Sequence, residues 1–245
     1  MRHWASLLLC SLLAGCVSSG ETISFRASNP QQQSLMRDGQ PALVSRQKTS
    51  LVLVRPASRQ LQRNGRPVFV VAINNLGRQP VDFRVAQVEA VQHAAGSDFE
   101  MKVVTYEMLV QEEQNRQVAA ALLTGLAAGA NAMSAAQAGR GSYTTPSGRT
   151  GTFYSPTAAV IAQNNAAIQN EAMISATIET GQRNMAMLEQ AVIKDNTLMP
   201  GEWYGGQLHL APPIDQAGAA KTYTIVITVG TERHVVEVSQ APAGA

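Results

Sequence analysis

Residues 222–238 read TYTIVITVGTERHVVEV. Tyr223, Ile225, Ile227 and Val229 alternate with Thr222, Thr224, Val226 and Thr228, the period of two of a strand with one buried face. Gly230-Thr231-Glu232 turns the chain, and His234, Val236 and Val238 share a face of the returning strand, so the stretch predicts a β-hairpin. Upstream, Pro200-Gly201-Glu202 is a turn, Leu208 and Leu210 alternate with His209, and Pro212-Pro213 stops that strand. Residues 51–106 follow the same pattern. Leu51-Val52-Leu53-Val54 reads as the first firm strand, and Val68-Phe69-Val70-Val71-Ala72-Ile73 as a buried one. Asn74-Asn75-Leu76-Gly77 and Ala95-Gly96-Ser97-Asp98 punctuate the chain, Val81, Phe83 and Val85 alternate with Asp82, Arg84 and Ala86, and Phe99, Met101 and Val103 alternate with Glu100 and Lys102. About seven or eight short antiparallel strands predict an immunoglobulin-like β-sandwich, on architecture alone and without a Cys–Trp–Cys signature. Such a fold implies no function.

Residues 107–196 interrupt this pattern. Glu107 to Gly139 is rich in Ala, Leu, Gln and Glu, good helix formers. Gly139 suits a helix end, and Ser155-Pro156 suits a helix start. Between them, Gly141 to Ser155 lacks periodicity and reads as a mobile Gly/Ser/Thr loop. The expected fold class is therefore α+β: an antiparallel immunoglobulin-like sandwich interrupted by a long antiparallel helical hairpin. In the second arm Ile174, Ile178, Gly181, Met185, Leu188 and Val192 are spaced four, three, four, three, four, a heptad seam. The first arm offers Val118, Leu122, Gly125, Gly129, Ala132 and Ala136. Gly125 and Gly129 form a small-residue pair suited to close helix packing. Packing of the hairpin is accordingly assigned to Gly125, Gly129, Ile174, Ile178, Met185 and Leu188. Residues Gln117–Gly139 carry no charge over 23 positions, long enough for a hydrocarbon core, yet Thr124, Asn131, Ser134 and Gln137 oppose insertion of a lone hairpin.

The composition excludes some function classes. The chain has 245 residues and a formal net charge of +2, which argues against bulk nucleic-acid binding. Its 2 cysteines make no disulfide scaffold or four-cysteine zinc site. Both lie near the start. Met1-Arg2-His3 precedes an uncharged run from Trp4 to Ala14, about the length of a signal-peptide core and too short to span a bilayer. The run ends Leu13-Ala14-Gly15-Cys16. This tetrad resembles the lipobox of bacterial lipoproteins. The resemblance implies a leader over 1–15, fatty acylation of Cys16, membrane attachment through that anchor and, with Val17 rather than Asp after the Cys, the outer membrane facing the periplasm. Two or three acyl chains anchor durably. From Arg26 to Arg66 stand Arg26, Arg37, Arg46, Lys48, Arg55, Arg59, Arg63 and Arg66 against Asp38. Residues 16–50 are read as anchor and basic tether, drawn to anionic headgroups or solvated. The sandwich is assigned to 51–106 and 197–240, and the hairpin to 107–196.

Chemistry-bearing motifs are sparse. Ser45-Arg46-Gln47-Lys48 matches S-x-x-K, but the accompanying S-D-N and K-T-G elements are missing from the chain. His93, His209 and His234 lie singly; His209 and His234 could meet across neighbouring strands, but no Asp or Glu spacing completes a metal site or triad. No catalytic residue, metal or cofactor is expected. Trp203 and Tyr204 sit in a Gly-rich turn, and Tyr143, Phe153 and Tyr154 lie in the hairpin tip; all five are candidate partner contacts. The expectation is a non-enzymatic envelope lipoprotein that works as a structural or assembly component through its hairpin, with protein partners or self-association. The alternatives are a membrane-inserting or pore-forming lipoprotein, and a ligand-binding or enzymatic domain near Trp203.

Overall fold

The computed structural model describes residues 20–37, 39–94, 96–215 and 220–242. The leader and Cys16 lie outside them. Ten strands precede the first helix: β1 (Gly20–Arg26), β2 (Gln32–Arg37), β3 (Gln40–Arg46), β4 (Ser50–Pro56), β5 (Leu61–Gln62), β6 (Val68–Asn75), β7 (Val81–Phe83), β8 (Glu89–Ala94), β9 (Ser97–Glu100) and β10 (Val103–Val104). Helix α1 (Tyr106–Gln137), strands β11 (Arg140–Thr144) and β12 (Thr150–Tyr154) and helix α2 (Pro156–Ala191) follow. The chain closes with β13 (Asn196–Leu198), β14 (Trp203–Leu210), β15 (Lys221–Val229) and β16 (Glu232–Pro242). The class is α+β, with antiparallel sheets and two long helices among the described residues. The chain divides into two compact units, one from the residues up to Thr105 together with those from Val192 onward, the other Tyr106–Ala191.

The strand unit holds two sheets. One runs β13-β7-β15-β16-β1-β5, with β8 also on β15 and β9 on β8; the other runs β10-β14-β6-β4-β3-β2. The expected C-terminal hairpin is present, with Val229 opposite Glu232 and Tyr223 opposite Val238. Gly230 makes its turn at φ 58°, and a Cβ there would fall 2.4 Å from Val81 Cγ2, so both backbone and space demand glycine. Alternation buries Tyr223, Ile225, Ile227, Val236 and Val238 from one sheet and Leu43, Val52, Val54, Phe69, Val71 and Ile73 from the other in a single apolar cluster. Phe69 ties the sheets together, with its ring edge-on to Phe25 at 6.3 Å and to Tyr223 at 6.2 Å.

Three sequence expectations are corrected. The basic tether over 16–50 is not a tether where it is described: β1, β2 and β3 lie within it and pair into both sheets. Glu21, Ile23 and Phe25 form the buried face of β1, and the carboxylate on that face disguised the alternation. Glu21 accepts from Lys221 Nζ at 2.9 and 3.0 Å and from Gln240 Nε2 at 2.6 Å, which satisfies the buried charge. The strand expected through Val85 stops at Phe83 and gives way to a 3-10 turn at Val85–Gln87. There the Val85 N–H donates to Asp195 Oδ1 at 2.8 Å, a side-chain partner in place of a ladder bond. His234 and His209 do not share neighbouring strands. His234 is on β16, between β15 and β1, while His209 is on β14 in the other sheet, opposite Val104 and Val68.

Candidate functional site: the helical hairpin

The helices have 32 and 36 residues, or about 48 and 54 Å of axis. Ser155 caps α2, its Oγ accepting from the Ala158 N–H at 3.3 Å, and Pro156 opens the helix. The pairing between α1 and α2 differs from the expected seam. From Glu113 onward the shielded positions of α1 are Glu113, Gln117, Ala120, Thr124, Ala128, Asn131 and Ala135; on α2 they include Ala159, Ala162, Ala166, Asn170, Met173, Thr177, Gly181, Asn184 and Leu188. The spacing is four, three, four, four, three, four in α1. This is an eleven-residue rhythm that stays close to the natural helix period, in contrast to the seven-residue rhythm of a supercoiled pair.

The seam is polar and small. Gln117 Nε2 donates to the Gly181 carbonyl at 3.2 Å, the Thr124 and Thr177 hydroxyls meet at 3.0 Å, Asn131 Nδ2 donates to Asn170 Oδ1 at 3.0 Å, and Asn170 Nδ2 donates to the Ala128 carbonyl at 3.2 Å. Gly181 leaves room for Gln117, whose side chain would lie 2.9 Å from a Cβ at that position. Near the base Glu113 is buried. Burial pushes its carboxyl up, but hydrogen bonds from Gln117, Asn184 and Arg116 outweigh burial and hold it below the usual carboxylate range. At the base the Tyr106 hydroxyl donates to the Glu189 carboxylate.

Gly125 and Gly129 are therefore not packing residues of the pair: a Cβ at either would meet nothing within 4 Å. Ile174 and Ile178 are exposed, Met185 is half-buried beside the seam, and Leu188 is half-buried within it. The heptad reading failed because it ranked positions by side-chain hydrophobicity, whereas Ala, Gly, Thr and Asn let these two backbones approach closely and pair their polar groups. At about 100° per residue, Gly125 and Ala132 lie to one side of the α1 seam, and Val160, Ile174, Ile178 and Met185 to one side of the α2 seam. Ala121, Ile178 and Met185 line one groove of about 560 Å³ along the pair, so the two expected seams fall on the same flank of the hairpin. Leu122, Leu126 and Met133 point away from α2 and are 66%, 73% and 68% exposed.

The tip is a third sheet, not the expected mobile loop. β11 and β12 pair from Arg140↔Tyr154 to Thr144↔Thr150. The Gly148 N–H donates to the Thr145 carbonyl at 2.9 Å, and Gly148 has φ 79°, a turn with Pro146 and Gly148 at the positions they favour. Phe153 covers Gly141 and Tyr143 covers Gly151: a Cβ would fall 2.4 Å from one ring and 2.6 Å from the other. Tyr143, Phe153 and Tyr154 remain exposed beyond these contacts.

Trp203 and Tyr204 separate in role. Trp203 is exposed on β14 opposite Asn74. The Tyr204 hydroxyl accepts from the Lys194 N–H at 2.9 Å and donates to the Lys194 carbonyl at 3.0 Å, so it clamps the chain entering β13. Ser45 of the S-x-x-K match is on β3, not at a helix start, and meets His234 Nδ1 at 3.0 Å. Ser50 meets His234 Nε2 at 2.8 Å and donates to Glu232 Oε2 at 2.5 Å. A hydrolase places the His between Ser and carboxylate; here Ser50 stands between His234 and Glu232, and Ser45, Ser50 and His234 are buried. The order and burial make this a structural network. Among the described residues no group of three His, Cys, Asp or Glu gathers as a metal site. Sequence reading missed this network and the Glu21–Lys221 pair, because each joins residues some 180 to 200 positions apart. Comparison of the chain with protein-family models, with curated proteins and with solved structures gives no match in any of the three.

Proposed function

We propose that the chain is a membrane-anchored cell-envelope lipoprotein that acts as a structural or assembly component through its helical hairpin. In this reading the strand unit is an immunoglobulin-like sandwich interrupted by the hairpin, and Cys16 carries the lipid that holds it at the outer membrane. The carrying observation is the inverted distribution of side chains in the hairpin. Gln117, Thr124, Thr177, Asn131 and Asn170 are bonded inward across the seam, while Val118, Leu122, Leu126, Met133, Ile168, Ile174 and Ile178 stand at its surface. An apolar surface of that extent marks an interaction site. The flank bearing Gly125, Ile174 and Ile178 suits side-by-side packing, because small residues on one helix face branched ones on the other.

The test is Gly125→Leu. The position has no neighbour, so the pair itself tolerates the change, while the flank is filled. Cross-linking in the native envelope should lose its higher-mass species in Gly125→Leu and retain them in the exposed control Ser134→Ala. Unchanged cross-links in Gly125→Leu would refute assembly through this flank.

A further inference from the structure

We infer that the outer face of α1 is covered by the hydrocarbon core of a lipid bilayer; this rests on the assembly reading and names what surrounds the assembled hairpins. Four observations converge. The uncharged part of α1, 117–137, has 21 residues, about 32 Å of helix against a hydrocarbon thickness of about 30 Å. α1 is apolar enough to cross a membrane, and only 6% of that window is buried, which sets it apart from the core helix of a soluble protein. Of the polar side chains within this stretch, Gln117, Thr124 and Asn131 are bonded across the seam to Gly181, Thr177 and Asn170, as a medium without water requires, while Ser134 and Gln137, near the tip end, are exposed. The two ends of the stretch carry the groups that favour an interface. Arg116 stands at one end, and Arg140, Arg149, Tyr143, Phe153 and Tyr154 at the other, where aromatic and basic side chains meet headgroups.

The far face of α2 is different. Ser175 and Glu179 are exposed there, and a carboxylate in hydrocarbon is costly. Copies packed side by side through the Gly125 flank resolve this: α1 faces acyl chains and α2 faces water between copies.

The experiment places tryptophan reporters in the full chain with Trp4→Phe and Trp203→Phe removing the background, reconstituted in phosphatidylcholine vesicles whose acyl chains carry bromine. Leu126→Trp and, as a second reporter, Leu122→Trp should emit at blue-shifted wavelength and be quenched by the bromine, whereas Ser175→Trp should be neither shifted nor quenched. These sites are exposed, so the fold tolerates the reporters. The lipid anchor alone does not produce this result, since it holds the chain at the surface without burying α1. Leu126→Trp and Leu122→Trp both unquenched, with water-like emission, would overturn the inference. If cross-links still depend on Gly125 in that case, assembly stands and insertion alone fails.

Discussion

His234 shows how a single buried side chain governs behaviour in acid. Ser50 has one hydroxyl proton and donates it to Glu232. Its oxygen must then accept from His234 Nε2–H, and the bare Nδ1 accepts from the Ser45 hydroxyl. The neutral imidazole fits this chain. Burial pushes the His234 pKa down to about 4 from 6.5, against the opposing pull of Glu232. The unfolded chain therefore binds a proton in a range where the folded chain does not, and stability rises with pH there. The contribution is complete above pH 6.5 and is lost as pH falls toward 4; the size is on the order of a few kcal/mol. Denaturant melts of the strand unit should show this slope, and His234→Gln should flatten it. The buried pair Glu21–Lys221 makes a second residue-scale prediction. Glu21→Ala leaves the Lys221 ammonium, which is 1% exposed, with only the Arg63 carbonyl and Asp215 at 3.8 Å, and should cost about 3 kcal/mol. A loss within the error of the denaturation curve would contradict the charge assignment.

At the scale of the element, the hairpin carries two predictions of opposite sign. Gly125→Leu should raise its thermal stability, since the site is open and leucine is the better helix former by about 1 kcal/mol. Asn170→Leu should lower it by about 1–3 kcal/mol, because Asn131 and the Ala128 carbonyl lose their partner. Circular dichroism melts of both variants decide the matter. A drop in Gly125→Leu would restore the heptad seam that the structure displaces. The two long helices, their boundaries and the C-terminal strand pair were legible in sequence, because composition and period are local signals. The seam was not, since hydrophobicity points to Leu122 and Ile174, while the contact is set by how closely Ala128, Thr177 and Gly181 let the backbones come. The tip strands were hidden because Gly141 and Gly151 interrupt any alternation, and only their cross-strand rings show why they pair. β1 was hidden by Glu21, whose partner lies in β15.

At the scale of the whole molecule, chemistry and architecture separate. In the strand unit the polar networks are closed inward: Ser45, Ser50, His234 and Glu232 bond to one another, and Glu21, Lys221, Gln240 and Tyr223 do the same. In the hairpin Gln117, Thr124, Asn131, Asn170 and Thr177 bond across the seam, while Leu122, Leu126, Met133, Ile174 and Ile178 stand exposed. The function proposed for the hairpin is assembly through its Gly125–Ile174–Ile178 flank. The most direct measurement is site-specific photo-cross-linking in the intact envelope, with the photoreactive group placed in turn at Ile178 on that flank and at Ser58 on the strand unit. Assembly through the flank should give defined higher-mass adducts from Ile178, abolished by Gly125→Leu, and none from Ser58. Adducts absent from Ile178, or unchanged by Gly125→Leu, would contradict it.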